Sequence, residues 1–209
     1  MFKFFFDPEG PFAAVVNRIG SLIVLNLLWL VCSLPVFTLG ASTTALYTVL
    51  LHILSGDESH VARQFFKAFR ENFRRATGIW MILLGAIALF SFDLYYAGRL
   101  NSFWWRLLAV FGLQIVGMEM TFVFPLLARY ENNWRAHMRN AAVLAVTHLP
   151  KMLLIWMIWA IPVAASLWIE EVFYALLGVW VLIGYAGLSY VTALFIKPIF
   201  DDLEKAQKK

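Results

Sequence analysis

Residues 19–39 read IGSLIVLNLLWLVCSLPVFTL, an apolar run without a single charged side chain. A helix needs about 20 apolar residues to cross a hydrocarbon core of roughly 30 Å. Three further runs satisfy this requirement, at residues 76–97, 104–127 and 172–196. The chain is therefore predicted to cross a bilayer several times.

The composition excludes a soluble domain. Of 209 residues, 62% are hydrophobic and 14% are charged, whereas soluble proteins carry about 25% charged residues, and the mean hydropathy is +0.74. The 17 Lys and Arg residues exceed the 13 Asp and Glu residues, but the cations cluster at segment ends, which is a membrane pattern. A nucleic-acid partner is not expected. Cys32 is the only cysteine, so an intrachain disulfide is excluded.

Two more segments complete a prediction of six spans. Residues 145–168 are apolar beyond Lys151, and residues 41–55 form a short helix that follows the first run. Pro35 and Gly40 mark the corner of a helical hairpin between the first run and the short helix. Whether the short helix crosses completely or only re-enters is left open by its length.

The distribution of cations favours crossing, with both termini in the cytoplasm. In that arrangement the outer loops contain only Arg99 and Arg106, while nearly all other Lys and Arg residues are cytoplasmic. Short cytoplasmic loops carry this excess of cations in membrane proteins.

Two amphipathic segments are predicted as cytoplasmic interfacial helices, at residues 61–75 and 129–140. In each, aromatic and apolar residues recur on one helical face and cations occupy the other. The cations chosen as candidate contacts are Lys67, Arg70, Arg74, Arg135 and Arg139. Three interpretations stay open for them: topology determination and anchoring, binding to anionic lipid, and docking to a cytoplasmic partner.

The predicted fold is an all-α polytopic membrane bundle that forms one domain over residues 1–209. About six transmembrane helices are arranged in hairpins, and the interfacial helices lead into the second and third of them.

Several stretches resemble the YesL-like family of bacterial membrane proteins, domain of unknown function 624. They are Asn17-Arg18-Ile19, residues 25–30 (LNLLWL), Ser33-Leu34-Pro35-Val36, residues 40–47 (GASTTALY) and residues 65–73 (FFKAFRENF). The resemblance implies a multi-pass protein of the bacterial plasma membrane. It also implies genes beside those of carbohydrate ABC importers and polysaccharide-degrading enzymes, but no established activity and no catalytic residues.

Glu119 has the highest expected free-energy cost of any residue in the predicted spans, because a carboxylate near the middle of a bilayer is unfavourable. Such residues are often functional. Glu119 is interpreted either as a structural residue, protonated or paired in the bundle, or as part of a proton or cation relay with Gln114. Lys151 either pairs with Glu119 at matching depth or extends its ammonium group to the cytoplasmic interface.

The hydroxyl cluster Ser42, Thr43 and Thr44 follows Gly40 at the start of the short helix. Hydroxyls there can cap free N–H groups, and a helix N-terminus favours anions, so a ligand or partner contact near Pro35 and Gly40 is one hypothesis. The other is that small residues allow two helices to pack closely.

No enzyme, metal site or cofactor is expected. The four histidines lack ligand spacing, and neither a phosphate-binding glycine loop nor a nucleophile elbow occurs. The leading hypothesis is a non-enzymatic accessory or regulatory subunit of a carbohydrate ABC importer, with permease subunits or other membrane proteins as partners. Alternatives are a stand-alone small-solute or ion transporter that uses Glu119, and a lipid-binding scaffold.

Overall fold

The computed structural model describes residues 11–57 and 59–207, and these residues form helices without any strand. The helices are α1 (Pro11–Ser33), α2 (Leu39–Leu54), α3 (Val61–Arg99), α4 (Phe103–Arg129), α5 (Trp134–Thr147), α6 (Leu149–Trp168), α7 (Glu170–Val179) and α8 (Tyr185–Gln207). A 3₁₀ turn (Val36–Thr38) precedes α2, and a π-helical segment (Trp180–Gly184) joins α7 to α8.

Six helical stretches in the described residues are long and apolar enough to cross a bilayer. They are Phe12–Ser33, Val36–Leu54, Val61–Arg99, Phe103–Arg129, Leu149–Trp168 and Glu170–Ala206. The prediction of an all-α polytopic helical bundle is confirmed. The protein is thus a multi-pass membrane protein by its helices, and the bilayer is its environment.

The helix boundaries differ from the predicted segments at several places. The first helix, α1, covers Pro11–Ser33 instead of residues 19–39, and α6 begins at Leu149 instead of residue 145. Residues 61–75 and 76–97 were expected as two elements, but α3 runs through both without a break. The second amphipathic helix begins at Trp134 instead of residue 129 and continues to Thr147. The last helix continues beyond residue 196 to Gln207.

The reason for these differences is local. Neither proline nor a turn sequence separates the amphipathic part of α3 from its apolar part, so the hydrogen-bond ladder continues although the surface chemistry changes. Between α5 and α6, Pro150 lacks an N–H group and restricts the residue before it, and the chain bends at His148.

The shortest candidate span is the centre of the molecule. In α2, 72% of the most apolar window is buried, against 11% in α6 and 17% in α3. Its side chains join one core cluster with residues of α3, α4, α5 and α8, among them Phe65, Phe122, Ala141 and Phe200. We call this region the packed half.

The remainder, which we call the open half, consists of the second part of α3, the first part of α4, and α6 and α7. Its large apolar side chains are exposed, including Phe92, Phe111 and Trp168. Because lipid tails are as apolar as these side chains, such exposure is acceptable in a bilayer. The chain therefore combines a closely packed half with an open half whose apolar side chains suit contact with lipid or with another membrane protein.

Candidate functional site

No ion pair joins the three predicted intramembrane polar residues, all of which lie in the described part of the chain. Glu119 is half-buried on α4, and its Oε2 atom is buried without a hydrogen-bond partner. Gln114 is exposed on the same helix. Five residues correspond to about 140° around a helix, so the two side chains leave α4 in different directions. Lys151 is exposed at the start of α6, and the described residues contain no ion pair between it and Glu119.

The corner between α1 and α2 closes on its own backbone. Pro35 is exposed at the corner, and Gly40 lies inside α2 instead of at the turn. The Thr38 hydroxyl donates to the carbonyl groups of Cys32 and Pro35, and Trp80 Nε1 donates to the Val36 carbonyl at 2.7 Å. Three carbonyl groups at the corner thus accept hydrogen bonds from side chains, which lowers the cost of a corner away from water.

The hydroxyl cluster of α2 is buried and does not cap the helix. Ser42 donates to the Thr38 carbonyl at 3.1 Å, and Thr44 donates to the Gly40 carbonyl at 2.9 Å. The N-terminus of α2 has no side-chain cap. Thr43 instead accepts a hydrogen bond from Trp29 Nε1 and lies 3.4 Å from the Tyr185 hydroxyl. This geometry corresponds to the packing hypothesis and not to an anion-binding cap.

Thr43 also lies at the wall of an aromatic cavity of about 380 Å³. Three indole groups each donate to a threonine on another helix: Trp29 to Thr43, Trp156 to Thr121 at 2.9 Å, and Trp159 to Thr192 at 2.9 Å. Tyr185 stacks on Trp29 with ring centroids 3.6 Å apart. The polar atoms of this lining are largely engaged with each other, so the cavity presents mainly aromatic faces.

Asn26 is the polar residue that sequence reasoning missed. It is fully buried in α1 and donates to the carbonyl groups of Trp180 and Val181, while it accepts from the Ala186 N–H at 2.9 Å. These backbone groups belong to the π-helical segment and the first turn of α8, where regular helical pairing is interrupted. A single asparagine inside an uncharged apolar run was the available signal.

The packed half also contains an ion-pair cluster that the sequence did not reveal. Arg129, at the end of α4, binds Asp201 and Glu204 of α8 at 2.7 Å each. Asp201 also pairs with Lys197 at 3.0 Å, and Tyr130 donates to Glu204 at 3.2 Å. These groups are partly shielded, so the cluster fixes the end of α8 against α4.

The five candidate basic residues are all exposed on their helices. Lys67, Arg70 and Arg74 are exposed on the first part of α3, and Arg135 and Arg139 are exposed on α5. Arg135 stacks on Trp134, with the guanidinium carbon 5.2 Å from the ring centroid. Among the residues that the structure describes, no three His, Cys, Asp or Glu side chains are placed to hold a metal ion.

Comparison with known proteins points to the family suggested by the sequence. Residues 22–94 match the family described as "Protein of unknown function, DUF624". The predicted resemblance is confirmed. This segment contains about half of α1, all of α2 and most of α3, including the α1–α2 corner and the cations of α3.

A curated relative extends the similarity beyond that segment. The chain is 29% identical over 131 residues to "Uncharacterized protein YteU" of Bacillus subtilis (strain 168). The aligned part covers 59% of this chain and 59% of YteU, so the chain spans less than two thirds of its relative's length. No solved structure matches the chain.

Proposed function

We propose that this protein is a non-catalytic accessory subunit that docks laterally, within the plasma membrane, on another membrane protein. The partner class that we propose is the permease of a carbohydrate ABC importer, on the basis of the family resemblance. Both termini are proposed to lie in the cytoplasm, as the cation distribution indicates.

The observation that carries this proposal is the exposure of Gln114. It lies on α4 about 16 Å from Phe103 and about 22 Å from Arg129 along the helix axis, and its side chain is exposed. An amide that faces hydrocarbon lacks hydrogen-bond partners. A neighbouring transmembrane helix with a polar side chain supplies such partners.

The surroundings of Gln114 fit a docking surface. From Phe103 to Ile115, the buried residues of α4 are Ala109 and Gly112, and Gly112 packs against the Phe90 ring of α3. Apart from the half-buried Leu113, the rest of this stretch is exposed. A partner helix can therefore approach α4 without displacing any element of the bundle.

Co-purification tests this function. The tagged protein is extracted in mild detergent from cells in which the importer is induced, and recovered permease is quantified. Gln114→Leu should lower recovery about threefold to tenfold, the effect of one interhelical hydrogen bond. Leu89→Ala, a change at an exposed position on α3 outside this stretch, is the control. Absence of any importer component from the wild-type preparation would contradict the proposal.

A second candidate function rests on Glu119. Its buried, unpartnered carboxylate oxygen fits a proton or cation site in a stand-alone transporter. Flux of protons or monovalent cations into proteoliposomes that contain this protein alone, and loss of that flux in Glu119→Gln, would support this function over the accessory one.

A further inference from the structure

A second cavity lies between α3 and the start of α5, in the basic part of the molecule. Its volume is about 540 Å³. Its lining combines two arginines, two asparagines and an indole with an apolar wall; the residues are Arg74, Arg75, Gly78, Ile79, Ile82, Asn132, Asn133 and Trp134. Cations on one side and branched aliphatic side chains on the other match a molecule with an anionic head and a hydrocarbon tail.

The two arginines are available for a ligand. Both are exposed, and neither forms an ion pair with any residue in the described part of the chain. Other cations of the protein are engaged, as Arg129 is with Asp201 and Glu204. Guanidinium groups bind phosphate oxygens through paired N–H donors, which makes arginine well suited to phosphate.

The opposite wall is the N-terminus of α5. Asn133 is the N-cap residue with φ −68° and ψ 149°, its side chain makes no capping hydrogen bond, and the first turn contains no acidic residue. The first N–H groups of a helix lack intrahelical acceptors and carry a partial positive charge. An anion in the cavity can accept hydrogen bonds from these groups.

His137 is a buried neighbour of the cavity wall and is not part of the cavity lining. It lies one turn into α5, is 1% exposed, and neither ring nitrogen has a hydrogen-bond partner of good geometry. Burial, followed by the charge of Arg75, lowers the pKa of His137, while the backbone carbonyl of Asn132 acts in the opposite direction. Both Arg75 and Asn132 line the cavity. The lowered pKa keeps this imidazole uncharged, so the positive charge at this wall comes from the two arginines.

The apolar wall distinguishes a lipid from a soluble phosphate. Ile79 and Ile82 follow the arginines along α3 in the direction of its apolar part, and Ile82 is 50% exposed. Met81 beside it is 49% exposed. A hydrocarbon chain attached to a phosphate at Arg74 and Arg75 can lie along this surface.

We propose that the cavity between α3 and α5 binds the phosphodiester headgroup of an anionic phospholipid between Arg74, Arg75 and the N-terminus of α5. The acyl chain lies along Ile82. This site does not depend on a protein partner, so it can fail or succeed independently of the accessory function.

Lipid binding at this site is measured by native mass spectrometry of the full-length protein in detergent, titrated with phosphatidylglycerol. Removal of both cations in Arg74→Gln/Arg75→Gln should weaken binding at least about tenfold, because hydrogen bonds to charged groups are lost. The matched control Arg63→Gln/Arg70→Gln removes the same charge from α3 outside this cavity and should change binding less than about twofold. Equal weakening in both pairs would overturn the site in favour of diffuse surface attraction.

A second variant separates binding from folding. Asn133→Asp keeps a good N-cap and suits the helix dipole, so thermal stability should be retained or raised, while the added carboxylate repels phosphate and lowers lipid affinity. Unchanged affinity in Asn133→Asp would contradict the site.

Two comparison experiments test whether the bound phosphate belongs to an anionic lipid or to free inorganic phosphate. Phosphatidylcholine should bind at least about tenfold more weakly than phosphatidylglycerol, because its headgroup has no net charge and the site is cationic. Inorganic phosphate at millimolar concentration should not displace the lipid. Equal binding of phosphatidylcholine, or displacement by inorganic phosphate alone, would overturn the lipid assignment.

Discussion

At the scale of single residues, the bundle depends on a few polar contacts between distant helices. Asn26 satisfies three backbone groups around the π-helical segment, and its partners lie more than a hundred residues further along the chain. In a low-dielectric interior a backbone group without a partner is costly. Asn26 is therefore the side chain that allows the last span to contain an irregular turn.

We expect Asn26→Leu to destabilise the protein by about 2–4 kcal/mol, since it leaves two carbonyl groups and one N–H group without partners. Thermal unfolding of the purified protein in detergent measures the effect. Asn17→Leu, an exposed position on the same helix, should have little influence. Equal melting temperatures for Asn26→Leu and wild type would show that the π-helical segment does not need Asn26.

Gly40 is the second residue on which packing depends. A Cβ atom there would lie 2.5 Å from Trp80 Cβ and 2.6 Å from the Ala76 carbonyl oxygen. Neither neighbour is a flexible side-chain end, so α2 would have to move away from α3.

Gly40→Ala should consequently destabilise the protein by about 1–3 kcal/mol through overpacking. Gly85→Ala is the matched control, because nothing lies within 4 Å of its Cβ position and alanine favours the helix. Thermal stability measured side by side should fall for Gly40→Ala and stay constant or rise for Gly85→Ala. The reverse order would contradict the close approach of α2 and α3.

At the scale of helices, the apolar runs were predictable and their joints were not. Length and hydrophobicity identify six stretches, because a bilayer imposes both. The continuity of α3 was missed because the change from a basic to an apolar surface was interpreted as a boundary between two helices. Such a change does not by itself interrupt a helix. The separation of Glu119 from Gln114 around α4 follows from helix periodicity alone and was available in the sequence.

The cavities show a different limit of sequence reasoning. The aromatic cavity takes residues from α1, α2, α3, α4, α6 and α8, so no local pattern predicts it. His137 gave no signal either, because its burial depends on how α5 packs against other helices. The basic residues of α3 and α5 were recognisable from their periodicity, but the pairing of Arg74 and Arg75 with the start of α5 depends on the tertiary structure.

The α1–α2 corner leads to a prediction about depth. Trp80 binds the Val36 carbonyl, and α3 continues from Trp80 to Arg99, a rise of about 28 Å. With α3 steeply inclined to the membrane plane, the α1–α2 corner therefore lies far below the α3–α4 turn along the membrane normal. Leu34 at the corner is 79% exposed, which suits contact with hydrocarbon.

We predict that α1 and α2 re-enter the bilayer without reaching its outer surface, in place of the two full spans expected from the sequence. In a Cys32→Ser background, a membrane-impermeant maleimide added outside intact cells should label Asn101→Cys strongly and Leu34→Cys at most weakly. After denaturation both should react. Equal labelling of the two positions in intact cells would show that the hairpin crosses completely.

At the scale of the whole molecule, the packed half and the open half are proposed to serve different functions. The packed half surrounds α2, is fixed by the Arg129 cluster, and carries the proposed phospholipid site. The open half leaves α4 and α6 uncovered and presents Gln114 within the apolar region. A lipid site on one side and a protein-docking surface on the other fit a subunit that is positioned in the membrane beside its partner.

The most direct test of lateral docking is site-specific photocrosslinking in living cells. A photoreactive amino acid is placed at Gln114 on α4 and, as a control, at Leu89 on α3, which is 58% exposed. After irradiation of induced cells, we predict a crosslink from position 114 to an ABC permease subunit and lipid adducts from position 89. Lipid adducts alone from position 114 would contradict the central claim that α4 docks on a membrane partner.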